Sequence, residues 1–106
     1  MCIAAHPDDM EIMAPQAILE GFGRSDRWFT GVVATDGAGS PRAGLYAHFT
    51  DCQMREVRRR EQKKAAVIGE YGALILLGYS SASVKDSKRG DVREDLAKIL
   101  QATKPD

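Results

Sequence analysis

One imidazole and three carboxylates crowd together near the amino end, as His6-Pro7-Asp8-Asp9 with Glu11 just beyond. A short apolar run, Cys2 to Ala5, precedes them, so they fall on the turn that leaves a buried strand, and Pro7 fixes one backbone dihedral of that turn. Histidine at i and aspartate at i+3 converge on one side of such a turn, a spacing suited to holding a divalent cation through nitrogen and oxygen. Asp8, between them, projects differently and is free to act as a base. That division of labour suits hydrolysis, in which a divalent cation acidifies water and a nearby carboxylate takes the proton. The acidic pair equally suits a plainer task, capping the helix that follows, where negative charge is favourable.

Such residues act together only if the rest of the chain positions them. Short strand-like runs alternate with longer helical periods, giving the order β-α-β-α-β-α. From about Glu11 to Phe22, the residues Ile12, Ala14, Ile18, Leu19 and Phe22 keep close to helical spacing. Pro15 is tolerated only in a first turn, which moves that helix start toward Met13, and Gly21 and Gly23 stand where it should stop. Trp28 to Thr35 reads as a second strand closed by Asp36-Gly37, and residues Asp36 to Phe49 make a connection long enough to suggest function. Thr50 and Gln53 form a capping box that opens the longest helix, to about Tyr71, with Gly72 as its stop. Ala73 to Leu77 is continuously apolar, as expected of a strand buried on both faces of a parallel sheet. Ser80 to Gly90 reads as polar loop, and Asp91 caps a last helix with Val92, Leu96, Ile99 and Leu100 on one face.

Right-handed crossovers between these units predict an α/β fold, a Rossmann-like three-layer sandwich with a mostly parallel sheet. Ligands in such folds bind at the carboxyl ends of the strands, so the loops at 6–10, 36–49 and 78–90 face one site. Composition narrows the ligand. Among 106 residues, 15 Lys and Arg balance 15 Asp and Glu, and a neutral domain lacks the basic surplus that nucleic acid or an anionic membrane demands. The basic run Arg58, Arg59, Arg60, Lys63, Lys64 is interrupted by Glu61 and carries no stacking aromatics, so it reads as a solvated helix face. No apolar run approaches the ~18 residues of a membrane span, and Met1 to His6 has no basic n-region, so no secretory signal is expected. Cys2 and Cys52 form no CxxC pair and read as small buried residues in a reducing, cytoplasmic setting.

Ala-His-Pro-Asp-Asp after a first strand resembles the signature of the zinc-dependent N-acetylglucosamine deacetylases of the PIG-L or LmbE-like family. The likeness continues in Thr35-Asp36-Gly37 at the end of the second strand and in the helical residues Arg58, Glu61, Ala65, Ala66 and Gly69. It implies that His6 and Asp9 are zinc ligands, or ligands of another divalent metal, and that Asp8 is the general base in removing acetate from an amino sugar. It further implies that residues 1–106 are the N-terminal part of a longer domain. The family's third ligand, a histidine after a later strand, has no counterpart here, so the fragment alone is expected to be inactive. The partners implied are a small amino-sugar substrate and either the remaining part of the domain or further copies of the chain. A non-catalytic sugar- or anion-binding module on the same fold is the alternative.

Four further residues are candidates. Arg42, in the loop after the second strand, is either a contact to sugar or phosphate or a solvated loop arginine. Asp36 and Arg58 flank the site and are expected to support it from behind. Glu61 falls on the stripe of Met54, Val57, Ala65 and Ile68, so it is expected to be buried and paired, either as a structural ion pair with Arg58 or as a prop for the loops. His48, just ahead of Thr50, reads as a polar loop residue.

Overall fold

Strands β1 (Cys2–Ala4), β2 (Thr30–Thr35) and β3 (Ala73–Tyr79) form one parallel sheet in that order in a computed structural model describing residues 1–106. The α/β expectation holds. Between β1 and β2 lie α1 (Asp9–Met13) and α2 (Pro15–Gly21); α3 (Asp51–Ile68) joins β2 to β3, and α4 (Ser81–Lys85) and α5 (Asp91–Thr103) follow β3. Side chains alternate across β2. Gly31 and Val33 face α1 and α2, with Met10, Ile18, Ala4, Phe29 and Val33 forming the core on that side. Val32 and Ala34, both buried, point to the other side, along which α5 returns until Thr103 and Lys104 share a cleft with Thr30.

The single helix expected over 11–22 is instead two. Ala14 leaves helical geometry at φ −130°, as the residue before a proline must, and Pro15 opens α2 at its first position. The first turn of this pair reaches back to Asp9, which the proline argument had excluded. The capping box on α3 is present in full, Thr50 Oγ1 accepting from Gln53 N at 3.2 Å and Gln53 Oε1 accepting from Thr50 N at 2.9 Å. That helix ends at Ile68, with Gly69 rather than Gly72 as its C-cap. Residues 80–90 hold α4 rather than loop alone, and Asp91 is the first residue of α5, Gly90 taking the cap. Cys52 is exposed, contrary to expectation.

The apolar run of β3 does not lie buried on both faces, because β3 is an edge of the sheet and its residues are only half-covered. Its pairing with β2 slips by one residue between Val33 and Thr35, and Gly78, at φ +71°, supplies the left-handed residue such a bulge needs. The slip lets Asp36 N donate to Tyr79 O at 2.8 Å while Thr35 N donates to Ala5 O at 2.9 Å. All three strand ends are thus stitched at one level. Tyr79 itself is tied to α5 through Asp95, and this hydrogen bond pushes its phenol up to about 12.

Many large apolar side chains face outward, among them Leu45 at 92% exposure, Val67 and Ile12. The molecule is a slab of 44 × 35 × 18 Å with a radius of gyration of 14.5 Å, against about 13 Å for a compact domain of this length.

Candidate metal and catalytic site at the strand ends

The turn after β1 is closed from within. Asp9 Oδ2 accepts from the backbone N of His6 at 2.9 Å and lies 3.4 Å from His6 Nδ1, so one carboxylate oxygen and one imidazole nitrogen stand together at the carboxyl end of β1. The acidic pair does stand at the start of α1, Asp8 at the N-cap and Asp9 in the first turn, where negative charge is favourable, although the Asp8 side chain makes no capping hydrogen bond. Asp8 takes the N-cap position with φ 77° and ψ −15°, and this left-handed turn throws its carboxylate the opposite way, toward α3.

There it meets Arg58. The Arg58 Nη2 donates to Asp8 Oδ2 at 2.6 Å and to Pro7 O at 2.8 Å, and Nη1 donates to Glu61 Oε2 at 2.8 Å. Burial opposes charge on this mostly covered guanidinium, but the hydrogen bonds to Asp8 and Glu61 outweigh it and hold its pKa above the ordinary value. Arg58 is therefore a fixed cation beside Asp8. The glycine of Thr35-Asp36-Gly37 makes this approach possible: Gly37 adopts φ +71°, and a Cβ there would lie 2.8 Å from Arg58 Cβ and Cγ.

Asp36, its side chain 6% exposed, is consumed in support. Its Oδ1 accepts from Ala38 N at 3.0 Å and its Oδ2 from Arg55 Nε at 2.8 Å, so it shapes the loop and anchors it to α3. Ser40 N in turn donates to Gly37 O at 3.0 Å, closing the turn within the loop.

Glu61 is exposed, not buried; the covered position on that turn of α3 is Gln62, at 2% exposure. The stripe runs through Met54, Arg58 and Gln62 rather than through Glu61 and Ile68, a rotation of one residue. Glu61 remains an ion-pair partner of Arg58. Four of the five N–H donors of Arg42 go to the carbonyls of Ala38, Ser40 and Phe49 and to the carboxylate of Asp51. Arg42 clamps the long loop onto the start of α3. His48 sits in an exposed turn away from the cleft.

The resulting cleft, of about 510 Å³, is bordered by His6, Asp8, Asp9, Ser40 and Arg58, and by Lys85 from α4. Lys85 escaped the sequence reading because 80–90 was taken as loop; the Ser80 hydroxyl, an N-cap for Ser83 N, was the available signal. The donor types fit a divalent cation of the zinc class, an imidazole nitrogen and a carboxylate oxygen from one turn. Their number is two, and no third His, Cys, Asp or Glu stands with them.

Comparison with known proteins gives likenesses at the level of both family and solved structure. The family model described as PIG-L, GlcNAc-PI de-N-acetylase, matches residues 1–106. Among solved structures, the chain is similar to an N,N'-diacetylchitobiose deacetylase from Pyrococcus horikoshii in complex with its inhibitor MPG. The TM-score is 0.81 at 26% identity. The match covers 99% of this chain and 37% of that one, so the present residues span little more than a third of the deacetylase. No curated protein matches the sequence.

Proposed function

The chain belongs to the PIG-L family, and from that membership and the strand-end cluster we propose that it carries part of the active site of a metal-dependent N-deacetylase acting on an N-acetylglucosamine-type sugar or conjugate. The observation that carries the reading is the pairing of His6 Nδ1 and Asp9 Oδ2 at 3.4 Å beside an Asp8 whose carboxylate is turned separately toward Arg58.

In this reading His6 and Asp9 hold a divalent cation, zinc by preference, which when bound polarises the amide carbonyl and acidifies water. Asp8 is the base. It takes the proton from the attacking water and returns it to the departing amine, so that the acetamide C–N bond breaks and acetate and a free amine result. Arg58 holds the Asp8 carboxylate in place through both transfers, and Lys85 across the cleft offers a cation to the substrate's oxygens. Residues 1–106 are the N-terminal part of the domain, and its remainder supplies the third ligand. The short span relative to the deacetylase and the outward-facing apolar side chains support this.

The two-donor count favours a second reading, a sugar- or anion-binding module without catalysis. Acetate release from an N-acetylglucosamine conjugate decides between them. The full-length polypeptide is expected to release acetate with zinc, to stop with a chelator and to resume when zinc returns. Binding of the sugar without acetate release under any metal would establish the module instead.

A further inference from the structure

Gln62 is among the most buried side chains in the molecule and the only polar one in that set. It lies on none of the motifs that mark the site, yet its Oε1 accepts from the backbone N of Asp8 at 2.8 Å, across 54 positions of sequence. That bond reaches the one residue of the catalytic turn held in left-handed geometry, at φ 77°. Aspartate visits this region more readily than most residues, and an acceptor fixed opposite its N–H selects that conformation over the extended alternatives.

A glutamine amide can present either end, so something must orient it. Gln62 Nε2 donates to Glu11 Oε1 at 2.7 Å, and the same oxygen accepts from the hydroxyl of Tyr71 at 2.6 Å. A carboxylate only accepts. Glu11 therefore forces the nitrogen of Gln62 toward α1 and its oxygen toward Asp8, and the chain of bonds has a single polarity: Tyr71 to Glu11, Gln62 to Glu11, Asp8 to Gln62. The third carboxylate of the opening cluster thus has a task apart from the cleft.

We propose that Gln62, oriented by Glu11 and Tyr71, is a positioning residue that fixes the backbone of Asp8 and so the aim of its carboxylate. The catalytic part of this inference rests on the reading of Asp8 as the base; the geometric part does not.

The test uses three variants of the full-length polypeptide: Gln62→Leu, Gln62→Glu, and the exchange Glu11→Gln with Gln62→Glu. In the first, Asp8 N–H loses its acceptor. In the second, two carboxylates face each other. In the third, residue 62 again accepts from Asp8 N and from the amide nitrogen of residue 11, which stands where Glu11 Oε1 stood and turns Tyr71 from donor to acceptor, so the Asp8 amide keeps its acceptor. Amide hydrogen exchange at Asp8, relative to Met54 on the buried stripe, is expected to speed up by about tenfold in both single variants, the size of one net hydrogen bond. It should return to within about threefold of the parent in the exchange variant. Turnover of the acetylated sugar should follow the same order in kcat, with KM unchanged. An unaltered Asp8 amide in Gln62→Leu, or an exchange variant no better than Gln62→Glu, overturns the inference. If the parent protein releases no acetate, the proposed function fails, and the Asp8 amide still decides whether Gln62 holds that residue.

Discussion

Arg58 and Asp8, fifty residues apart, meet at 2.6 Å at the carboxyl end of β1, and the same guanidinium also binds the carbonyl of Pro7. Three acceptors around one planar fork make this arginine hard to replace. Lysine is a point charge on a flexible stem and satisfies at most part of that set. Arg58→Lys is expected to cost about 1–3 kcal/mol of stability by urea unfolding, through the acceptors it leaves unpaired. It should also lower kcat, because the turn that carries Asp8 loosens. A variant as stable as the parent would mean that the fork is ornamental.

Asp8 and Asp9 are neighbours with separate tasks, and substitution should separate them. Asn is well tolerated in left-handed geometry, so Asp8→Asn keeps the turn and the metal but loses the base, and kcat should fall by about 10²–10⁴-fold. Asp9→Ala removes the proposed metal donor and the acceptor for His6 N. Its zinc affinity, measured calorimetrically with the rest of the domain present, should drop by more than the ~10–100-fold typical of losing an outer-shell partner. Turnover retained in Asp8→Asn would remove that residue from the chemistry.

The turn after β1 was legible in the sequence because its residue types sit on consecutive positions, where strand exit and spacing leave little freedom. It revealed the helix supporting that turn less well. On α3 a helical step of 100° separates the buried Gln62 from the exposed Glu61, and an apolar stripe read from Met54, Val57, Ala65 and Ile68 is too coarse to resolve one step. The wider errors share a cause. A polar side chain on a buried stripe looks like an intrusion until its partners are known, and those of Gln62, on the turn after β1 and in α1, lie 51 and 54 residues away. Arg42 was ambiguous for the same reason, since carbonyl acceptors carry no sequence signature. The edge position of β3 was invisible because an apolar run records the propensity to be covered, not whether a neighbouring strand covers it.

Arg42 offers a direct test of loop clamp against substrate contact. Its removal in Arg42→Ala frees three loop carbonyls and Asp51. Limited proteolysis should then cut within 38–49 faster than in the parent, with a stability loss of about 1–3 kcal/mol. A raised KM with unchanged loop protection would restore the substrate role.

Tyr71 predicts the alkaline limit of the fold. Burial, then the hydrogen bond to Glu11, pushes its phenol well above the ordinary 10.0. A group whose folded pKa is raised stabilises fully below its unfolded value, and the contribution is lost as pH rises through the folded one. The parent should therefore lose melting temperature steeply above about pH 10, where an exposed phenol titrates. Tyr71→Phe should start lower and fall less over the same range. Parallel curves for the two proteins would show that the phenol is not the titrating group.

Gly37 and Gly39 stand two residues apart in the same loop and should respond differently to alanine. At Gly37 the backbone is at φ +71° and an added Cβ meets Arg58 Cβ and Cγ at 2.8 Å and Pro7 Cγ at 3.1 Å. The left-handed strain alone is worth roughly 1–2 kcal/mol, and relieving the contact must move Arg58 away from Asp8. At Gly39 nothing lies within 4 Å and the backbone is not left-handed. Gly37→Ala is thus expected to lower the urea midpoint by at least about 1–2 kcal/mol of stability and to reduce kcat together with it, while Gly39→Ala leaves both within error. Equal effects at the two positions would mean that the motif glycine serves the loop in general and not the approach of Arg58 to the turn after β1.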